Sequence, residues 1–182
     1  FFDVGIAEEH AVPFAGGLAR GGMIPIFSVY STFLQRAYDQ VMHDAALQGL
    51  KIILAIDRAG IVGEDGETHQ GIFDVAFLNT IPNVTIYAPS YFDELTFMLN
   101  DAIENGTGVC AIRYPRGGEF YKPNGYIFDL EDFSVFGNKD SKIAIVTYGR
   151  VFSNACKAKE MLSIKGVEVC CVKLNKLKPL HI

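Results

Sequence analysis

The sequence predicts an α/β protein in which a parallel sheet carries helices on both faces. Short apolar runs, with the length of buried strands, alternate along the chain with longer segments of helical periodicity. Such alternation is typical of parallel strands joined by crossover helices. Polar, glycine-rich segments also follow the ends of several predicted strands, which is where α/β proteins bind their ligands.

The first third of the chain contains three predicted strands and two predicted helices. We expect strands at 1–6, 24–29 and 52–56, and a helix at 8–21 with small residues on one face. A second helix is predicted at 32–48, because apolar residues recur there at helical spacing: Phe33, Ala37, Tyr38, Val41, Met42, Ala45 and Ala46.

Two more strands follow, at 84–88 and 109–113, with a helix at 93–104 between them. The pattern Ser90-x-x-Asp93 resembles a capping box in which Asp replaces the usual Glu. Two glycines, Gly106 and Gly108, would end this helix.

From residue 114 to residue 141 the pattern breaks into Pro, Gly, Lys, Tyr and Asp. A long irregular stretch is uncommon inside one compact unit. We therefore expect a first domain at 1–120, an interdomain connection at 121–140 and a second domain at 141–182. The second domain would begin with a βαβ unit, with strands at 143–147 and 167–172 and a helix at 152–164.

The termini and the composition restrict which classes of protein are compatible with the sequence. The chain opens without Met inside a predicted strand and closes without an obvious terminal element, so we expect a fragment of a longer polypeptide. A net charge of −5 with scattered basic residues argues against nucleic-acid and membrane-surface binding. No apolar stretch reaches the length of a membrane span, and no signal layout is present. We expect a cytoplasmic protein.

The four cysteines form no CxxC pair and lie mostly in apolar runs: Cys110, Cys156, Cys170 and Cys171. We interpret them as buried free thiols in a reducing compartment, and we predict no metal site in this chain.

The segment from Asp57 to Gly71 is the most informative part of the chain. It leaves the strand predicted at 52–56 and combines four glycines with Asp, Arg, Glu and His side chains. Glycine lets a backbone approach a ligand closely. We favour a ligand-binding loop over a solvated connection between a strand and a helix.

Three further motifs carry candidate chemistry. Glu8 follows the first predicted strand, where a carboxylate in apolar surroundings suits acid–base work, although an acidic residue also stabilises a helix N-terminus. Arg36 belongs to a motif at the end of the second strand, in which Phe33 is either core or cofactor contact. Arg113 and Arg116 lie beside a proline, and guanidinium groups match phosphate geometry. His43 is interpreted as a packing or helix-contact residue.

Four motifs, taken together and in order, resemble the 1-deoxy-D-xylulose-5-phosphate synthase family. They cover about the first two-thirds of the chain, and a segment at 178–180 resembles the domain that follows in that family. The motifs are Ile6-Ala7-Glu8-Glu9-His10-Ala11-Val12, Tyr30-Ser31-Thr32-Phe33-Leu34-Gln35-Arg36-Ala37-Tyr38-Asp39-Gln40, the Asp57–Gly71 loop and Arg113-Tyr114-Pro115-Arg116-Gly117.

The resemblance implies a pyrimidine-binding domain for thiamine diphosphate. Glu8 matches the glutamate that binds the N1′ atom of the cofactor ring and serves its activation, Phe33 the residue that stacks on the ring, and Ile6 a residue that helps to hold the cofactor bent. His69 matches a histidine near the intermediate derived from pyruvate. The remaining matches are to residues that contact the acceptor, D-glyceraldehyde 3-phosphate: Tyr30, Arg36, Arg58, Asp65 and Arg116. Asp65 is also a catalytic candidate.

The resemblance also implies the reaction: pyruvate condenses with D-glyceraldehyde 3-phosphate, giving 1-deoxy-D-xylulose 5-phosphate and CO2. This product feeds non-mevalonate isoprenoid synthesis and supplies precursors of thiamine and pyridoxal. The family's N-terminal domain, with its Mg²⁺ and diphosphate motif, is not matched, so we expect the isolated 182 residues to be inactive. Family members are homodimers. Glu9 departs from the family, which often has Gln there.

Two other hypotheses stay open. A transketolase or the β subunit of a 2-oxoacid dehydrogenase would use the same glutamate with other substrates. From a different class, the chain could be a non-catalytic interaction module of the same fold. The loop at 68–71 and Arg116 favour the synthase.

Overall fold

The computed structural model describes residues 1–128 and 131–180. The predicted connection and the second predicted domain include residues 129–130 and 181–182, which lie outside the described residues. The helices are α1 (Glu8–Arg20), α2 (the successive segments Ser31–Leu34, Gln35–Ala37, Tyr38–Gln40 and Val41–Ala46), α3 (Asp74–Thr80), α4 (Phe92–Glu104) and α5 (Val151–Ile164). The strands are β1 (Ile26–Tyr30), β2 (Ile52–Asp57), β3 (Val84–Tyr87), β4 (Val109–Arg113), β5 (Phe133–Phe136), β6 (Ala144–Tyr148), β7 (Cys170–Leu174) and β8 (Lys176–Lys178).

The larger sheet has the order β1-β2-β4-β3-β8. Its first four strands are parallel, and β8 pairs antiparallel with β3. The central strands are almost continuously apolar, and every residue of β4 is buried. This burial is expected for a parallel sheet that is covered on both faces.

Helices cover both faces of the larger sheet, as the sequence predicts. On one face, α1, α2 and α3 pack on side chains such as Leu54, Ile56 and Ile86. On the other face, α4 contributes Met98 and Ala102 against Ile53 and Ile112. The α/β class with a parallel sheet is confirmed.

A glycine allows α1 and α2 to cross closely. A Cβ atom at Gly16 would lie 3.2 Å from the carbonyl oxygen of Asp44 on α2. The small residues predicted on one face of the first helix therefore lie against the second helix. Helix α2 is continuous but changes its hydrogen-bond pattern, with a 3₁₀ segment at Gln35–Ala37 and a π segment at Val41–Ala46.

The smaller sheet has the order β5-β7-β6, with β6 parallel to β7 and β5 antiparallel to it. Helix α5 packs on this sheet through Phe152 and Cys156, in a cluster that also includes Tyr91 from the segment before α4. All four cysteines lie buried with free thiols. Burial raises the pKa of Cys110 to about 11.

Several predicted elements need correction. Residues 1–6 are irregular rather than a strand, because the Asp3 carboxylate accepts a hydrogen bond from the Gly5 N–H (2.9 Å) and Gly5 has φ +64°. Such a local side-chain turn competes with strand pairing. The capping contact before α4 comes from Glu94, whose Oε2 accepts from the Ser90 N–H at 2.7 Å, and not from Asp93.

The sequence pattern did not predict three of the elements, because each of them is short. Helix α3 has seven residues, and β5 and β8 have four and three. Strand β5 lies inside the stretch predicted as a connection and joins the smaller sheet. Strand β8 returns to the larger sheet beside β3, so the last described part of the chain spans both sheets.

Within residues 1–128 and 131–180, none of the helices is long and apolar enough to cross a membrane.

Candidate active site

The loop between Asp57 and Gly71 is closed at its base by backbone hydrogen bonds. The N–H of Gly60 donates to the Gly71 carbonyl at 2.7 Å, and the N–H of Gly71 donates to the Gly60 carbonyl at 3.0 Å. A Cβ atom at Gly71 would lie 2.3 Å from the Arg58 carbonyl oxygen and 2.6 Å from Ser31 Cβ. Glycine is therefore required at Gly71 to seat the loop against α2.

A glutamine side chain fixes the interior of this loop. The Oε1 atom of Gln70 accepts from the Val62 N–H at 2.7 Å, and its Nε2 donates to the carbonyls of Val62 (2.8 Å) and Gly66 (2.7 Å). Sequence reasoning missed this role. The available signal was an amide side chain in a loop rich in glycine, where free backbone groups need partners.

Asp65 lies at the centre of a cluster of charges. Its side chain is only 1% exposed, and its Oδ1 accepts from Arg58 and from Nη1 of Arg116, the latter at 3.1 Å. Arg116 also pairs with Glu64 at 3.4 Å. The structure thus brings together three residues that the sequence indicated, and it adds Glu64.

Aromatic contacts connect this cluster to the next strand. The Arg58 guanidinium lies over the Tyr30 ring, 4.2 Å from its centroid. Partial burial lowers the pKa of Arg58, but interactions with Tyr30 and Asp65 outweigh it, and the net pKa is raised. Tyr30 stacks on Phe33 with centroids 5.5 Å apart, and the His69 ring meets Phe33 edge-on at 5.2 Å.

Glu8 occupies the first turn of α1 and is 6% exposed. Nη1 of Arg36 donates to Glu8 Oε2 at 3.3 Å, and the same guanidinium lies 5.1 Å from the Phe33 centroid. Ile6 is largely exposed. The neighbouring Glu9 is exposed, so its charge faces solvent rather than the site.

The predicted residues form one path of contacts. It runs from Glu8 through Arg36, Phe33, Tyr30, Arg58 and Asp65 to Arg116, with His69 at its side. A cavity of about 660 Å³ adjoins one end of the path and is lined by residues that include Ile6, Glu8, Tyr30 and Phe33. The path lies where β1, β2 and β4 end, at the carboxyl edge of the sheet.

Arg113 is held apart from this path. Its guanidinium binds the buried carboxylate of Asp74, with Nε at 2.7 Å from Oδ2. Asp74 begins the short helix α3, which the sequence did not reveal. Within the described parts of the chain, no group of three or more His, Cys, Asp or Glu side chains is arranged to hold a metal ion.

The fold is an α/β domain with a parallel sheet, and comparison with known proteins identifies its family. Residues 1–118 match the family described as the transketolase pyrimidine-binding domain. That match covers well over half of the chain, which therefore belongs to this family.

Two curated relatives share a name. The chain is 50% identical over 185 residues to the 1-deoxy-D-xylulose-5-phosphate synthase of Clostridium kluyveri, and 48% identical over 190 residues to that of Halothermothrix orenii. In both cases 99% of this chain is aligned, but it spans only 29% and 28% of the relative. The chain thus matches less than a third of the length of these relatives.

Solved structures support the same fold. A split-gene transketolase, described as an inactive β4 tetramer, is 29% identical with a TM-score of 0.82; 98% of this chain and 58% of that chain are covered. The transketolase of Campylobacter jejuni is 20% identical with a TM-score of 0.86, covering 97% of this chain and 28% of that one. The second likeness concerns the fold alone.

Proposed function

We propose that the polypeptide containing this chain is a 1-deoxy-D-xylulose-5-phosphate synthase. It condenses pyruvate with D-glyceraldehyde 3-phosphate, with loss of CO2, to make 1-deoxy-D-xylulose 5-phosphate for isoprenoid, thiamine and pyridoxal precursors. The observation that carries the proposal is the path from Glu8 to Arg116, which joins a buried carboxylate to a pair of arginines. The identity of about 50% to synthases supports the choice of substrates.

The residues around Glu8 fit the aminopyrimidine ring of thiamine diphosphate. The carboxylate is buried at the edge of a cavity that Phe33 and Tyr30 also line, so a flat ring can stack on an aromatic face while it hydrogen-bonds to Glu8. Ile6 lines the same cavity and would support the bent cofactor. When bound, thiamine diphosphate supplies the electron sink that decarboxylation of a 2-oxo acid requires.

Each residue of the path has a role in this proposal. Glu8 holds a proton at the pyrimidine N1′ position, and Arg36 orients the Glu8 carboxylate through its 3.3 Å contact. His69 stands beside Phe33, where an imidazole N–H can donate to the carboxylate of pyruvate.

The acceptor phosphate would bind at Arg58 and Arg116. Their guanidinium groups converge on Asp65, so they are already oriented before the phosphate arrives. The Tyr30 ring also packs against the Arg58 guanidinium. An exposed fraction of 42% leaves the Arg116 side chain accessible to a phosphate from solvent.

The remaining features of the proposal concern the whole polypeptide. We assign residues 1–120 to the pyrimidine-binding domain, 121–140 to the connection and 141–182 to the start of a transketolase C-terminal-like domain. Mg²⁺ and the diphosphate would be held by residues outside this chain. We further propose a cytoplasmic homodimer.

A transketolase function is the second candidate, because solved neighbours are transketolases. It would act on a sugar-phosphate donor in place of pyruvate. Identity to those structures is at most 29% among the two described, against about 50% to the curated synthases. The difference favours the synthase.

The test uses the complete polypeptide with pyruvate, D-glyceraldehyde 3-phosphate, thiamine diphosphate and Mg²⁺, and detects deoxyxylulose phosphate by mass spectrometry. Replacing Glu8 by Gln removes an acid–base group, so we expect kcat to fall by about 10² or more. Glu9→Gln is the matched control, because it changes an exposed carboxylate on the same turn; we expect at most about a twofold change.

Three results would contradict the proposal. A folded, cofactor-binding polypeptide that makes no deoxyxylulose phosphate would exclude these substrates. Ketol transfer from xylulose 5-phosphate in the same assay would instead support a transketolase. A polypeptide that binds no thiamine diphosphate in the presence of Mg²⁺ would favour an interaction module.

A further inference from the structure

A second crevice lies where the two sheets face each other. Parallel strands from both sheets direct their carboxyl ends into it: β2, β3 and β4 from the larger sheet, and β6 and β7 from the smaller one. Its volume is about 1040 Å³. Ligands of α/β proteins bind outside the carboxyl ends of strands, commonly at boundaries between structural units.

Buried contacts between the two sheets fix the shape of this crevice. The Ser90 hydroxyl, which follows β3, donates to the carbonyl of Gly149 after β6 at 2.7 Å. Behind it, Lys173 on β7 pairs with Glu94 on α4 at 2.6 Å, and both side chains are fully buried. The two walls are therefore held together without any ligand, so the crevice is preformed.

The arginines that line the crevice differ in their partners. Arg113 is neutralised by Asp74, and Arg116 by Asp65 and Glu64. Arg150, which precedes α5, forms no ion pair with any carboxylate in residues 1–128 and 131–180. Its guanidinium carbon lies 3.6 Å from the centroid of the Phe120 ring, and its Nη1 donates to the Arg116 carbonyl at 3.2 Å.

Arg150 also has unused hydrogen-bonding capacity. Its Nε atom is buried and meets no acceptor among the described residues. Partial burial lowers the pKa of Arg150, and no neighbouring charge raises it again. A partly desolvated cation without a counter-ion carries a free-energy cost that a bound anion would offset.

The rest of the lining is mainly apolar. Ile61 and Ile72 come from the loop of the larger sheet, and Val146 and Tyr148 come from β6; all four are exposed at the surface of the crevice. Exposed apolar side chains on both walls favour a ligand with an apolar body. The guanidinium carbon of Arg113 also lies 5.3 Å from the centroid of the Tyr148 ring.

We propose that this crevice binds a phosphate monoester with an apolar or aromatic body. The phosphate contacts the Arg150 guanidinium, with Arg116 at the border, and the body lies between Ile61 and Tyr148. This site adjoins the acceptor site proposed above and shares Arg116 with it, but Arg58, Asp65, Tyr30, Phe33 and His69 are not among its lining residues. The inference does not depend on the proposed reaction.

The test titrates the complete polypeptide with phenyl phosphate by isothermal calorimetry. Arg150→Gln removes the uncompensated cation, and a charge-assisted hydrogen bond of this kind supports a loss of affinity of about tenfold or more. Lys157→Gln is the matched control on α5, since that ammonium packs on Tyr121 outside the crevice. We expect it to change the affinity by less than about twofold.

Two further arms separate the alternatives. Arg58→Gln weakens the proposed acceptor site but removes no residue that lines the crevice, so one phenyl phosphate site should persist in that variant with an affinity within about twofold of the parent value. Inorganic phosphate should bind more weakly than phenyl phosphate, because it lacks the apolar body. Val146→Trp fills the crevice from an exposed position and should abolish binding without touching Arg150.

The proposal is overturned if phenyl phosphate does not bind, if Arg150→Gln binds it as tightly as the parent, or if Arg58→Gln abolishes the binding. Unfolding curves for each variant establish that the protein is folded. If Arg150→Gln does not fold, Val146→Trp decides: unchanged affinity in that variant overturns the proposal.

Discussion

Asp65 and Glu94 are both carboxylates with nearly no exposed surface, and both pair with cations, but their surroundings differ. The Asp65 side chain is 1% exposed and sits at the carboxyl edge of the larger sheet. Glu94 is 0% exposed and sits between the two sheets. The comparison of these two clusters separates charges that hold the fold from charges that can meet a ligand.

The Glu94 cluster is closed and fully paired. Its carboxylate accepts from Lys173, from the Tyr126 hydroxyl at 2.8 Å and from the Ser90 N–H at 2.7 Å. The Lys173 ammonium is surrounded by aromatic rings, including Phe152. Burial lowers the pKa of Lys173 despite the opposing effect of Glu94. With no open side, this cluster has no route to a ligand.

The Asp65 cluster is open on the side of its cations. Arg58 and Arg116 retain 20% and 42% of their side-chain surface, and Asp65 Oδ2 is buried without a partner among the described residues. The arginines are therefore oriented by a buried anion while their outer N–H groups remain accessible. Buried pairing on one side and free donors on the other are what an anion site requires.

The largest expected effect on stability is at Lys173, in the closed cluster. We expect Lys173→Met to destabilise the complete polypeptide by about 3–5 kcal/mol, because it leaves the Glu94 charge buried without its cation. Thermal and denaturant unfolding measure this loss. The double variant Lys173→Met with Glu94→Gln removes the charge and keeps an acceptor for Ser90 and Tyr126. It should be more stable than the single variant; equal stability would mean that the ion pair is not the cause.

The open cluster should respond in function rather than in stability. We expect Arg116→Gln to raise KM for D-glyceraldehyde 3-phosphate by about tenfold or more, with kcat within about threefold, because a charge-assisted contact to the phosphate is lost. Its unfolding free energy should change by less than about 1 kcal/mol, since the pair is partly exposed. Steady-state kinetics with each substrate varied in turn measure the effect.

Arg20→Gln is the control for this prediction, because that arginine contacts Gln48 on the surface away from the cluster. Its kinetics should match the parent. If Arg116→Gln raises KM for pyruvate and leaves that for the phosphate substrate unchanged, the assignment of the phosphate to this cluster is wrong.

A smaller effect is expected at Gln70, which supports the open cluster from inside the loop. Gln70→Leu removes three hydrogen bonds to Val62 and Gly66 and should destabilise the protein by about 1–2 kcal/mol. Hydrogen exchange should become faster in the loop around Asp65 and stay unchanged in β4. Gln35→Leu, at an exposed position of α2, is the control. Unchanged hydrogen exchange in the loop of Gln70→Leu would show that the Gln70 side chain is not needed to keep the loop ordered.

Much of the larger sheet could be predicted because its information is local. The apolar run at Ile52–Asp57 and the periodicity of Ser31–Ala46 reflect burial patterns that neighbours in sequence impose. Most of the site residues could be named because they follow strands, and the motif resemblance supplied their expected roles. Their mutual contacts could not be read from spacing, since Asp65 and Arg116 are 51 positions apart.

The rest depended on long-range partners. The ion pair of Lys173 with Glu94 joins residues 79 positions apart, and neither position stands out in the sequence. Strand β8 has only three residues and exists because β3 offers it an edge. In the opposite direction, residues 1–6 have a strand-like composition but form a local turn at Gly5, since the described chain does not pair them.

The smallest expected effect concerns an ion pair in which both side chains are partly exposed to water. Asp93 pairs with Lys122 at 2.6 Å, and the side chains of Asp93 and Lys122 are 59% and 37% exposed. Partial burial raises the pKa of Asp93, but the hydrogen bond and the charge of Lys122 outweigh it, so the pKa lies below its ordinary value of 3.8. The ionised form is favoured by folding, so its contribution is complete above that value and is lost as the pH falls through the folded pKa.

We therefore expect Asp93→Asn to reduce the unfolding free energy by less than about 1 kcal/mol at pH 7, and we expect this difference to shrink as the pH falls below 3.8. Urea unfolding of parent and variant at pH values between 2 and 7 tests the expectation. A constant difference across that range would mean that the effect comes from the hydrogen bond of Asp93 to the Glu94 N–H rather than from its charge. In both cases the loss of unfolding free energy in Asp93→Asn is smaller than in Lys173→Met, because water can replace the partner of an exposed ion but cannot reach a buried one.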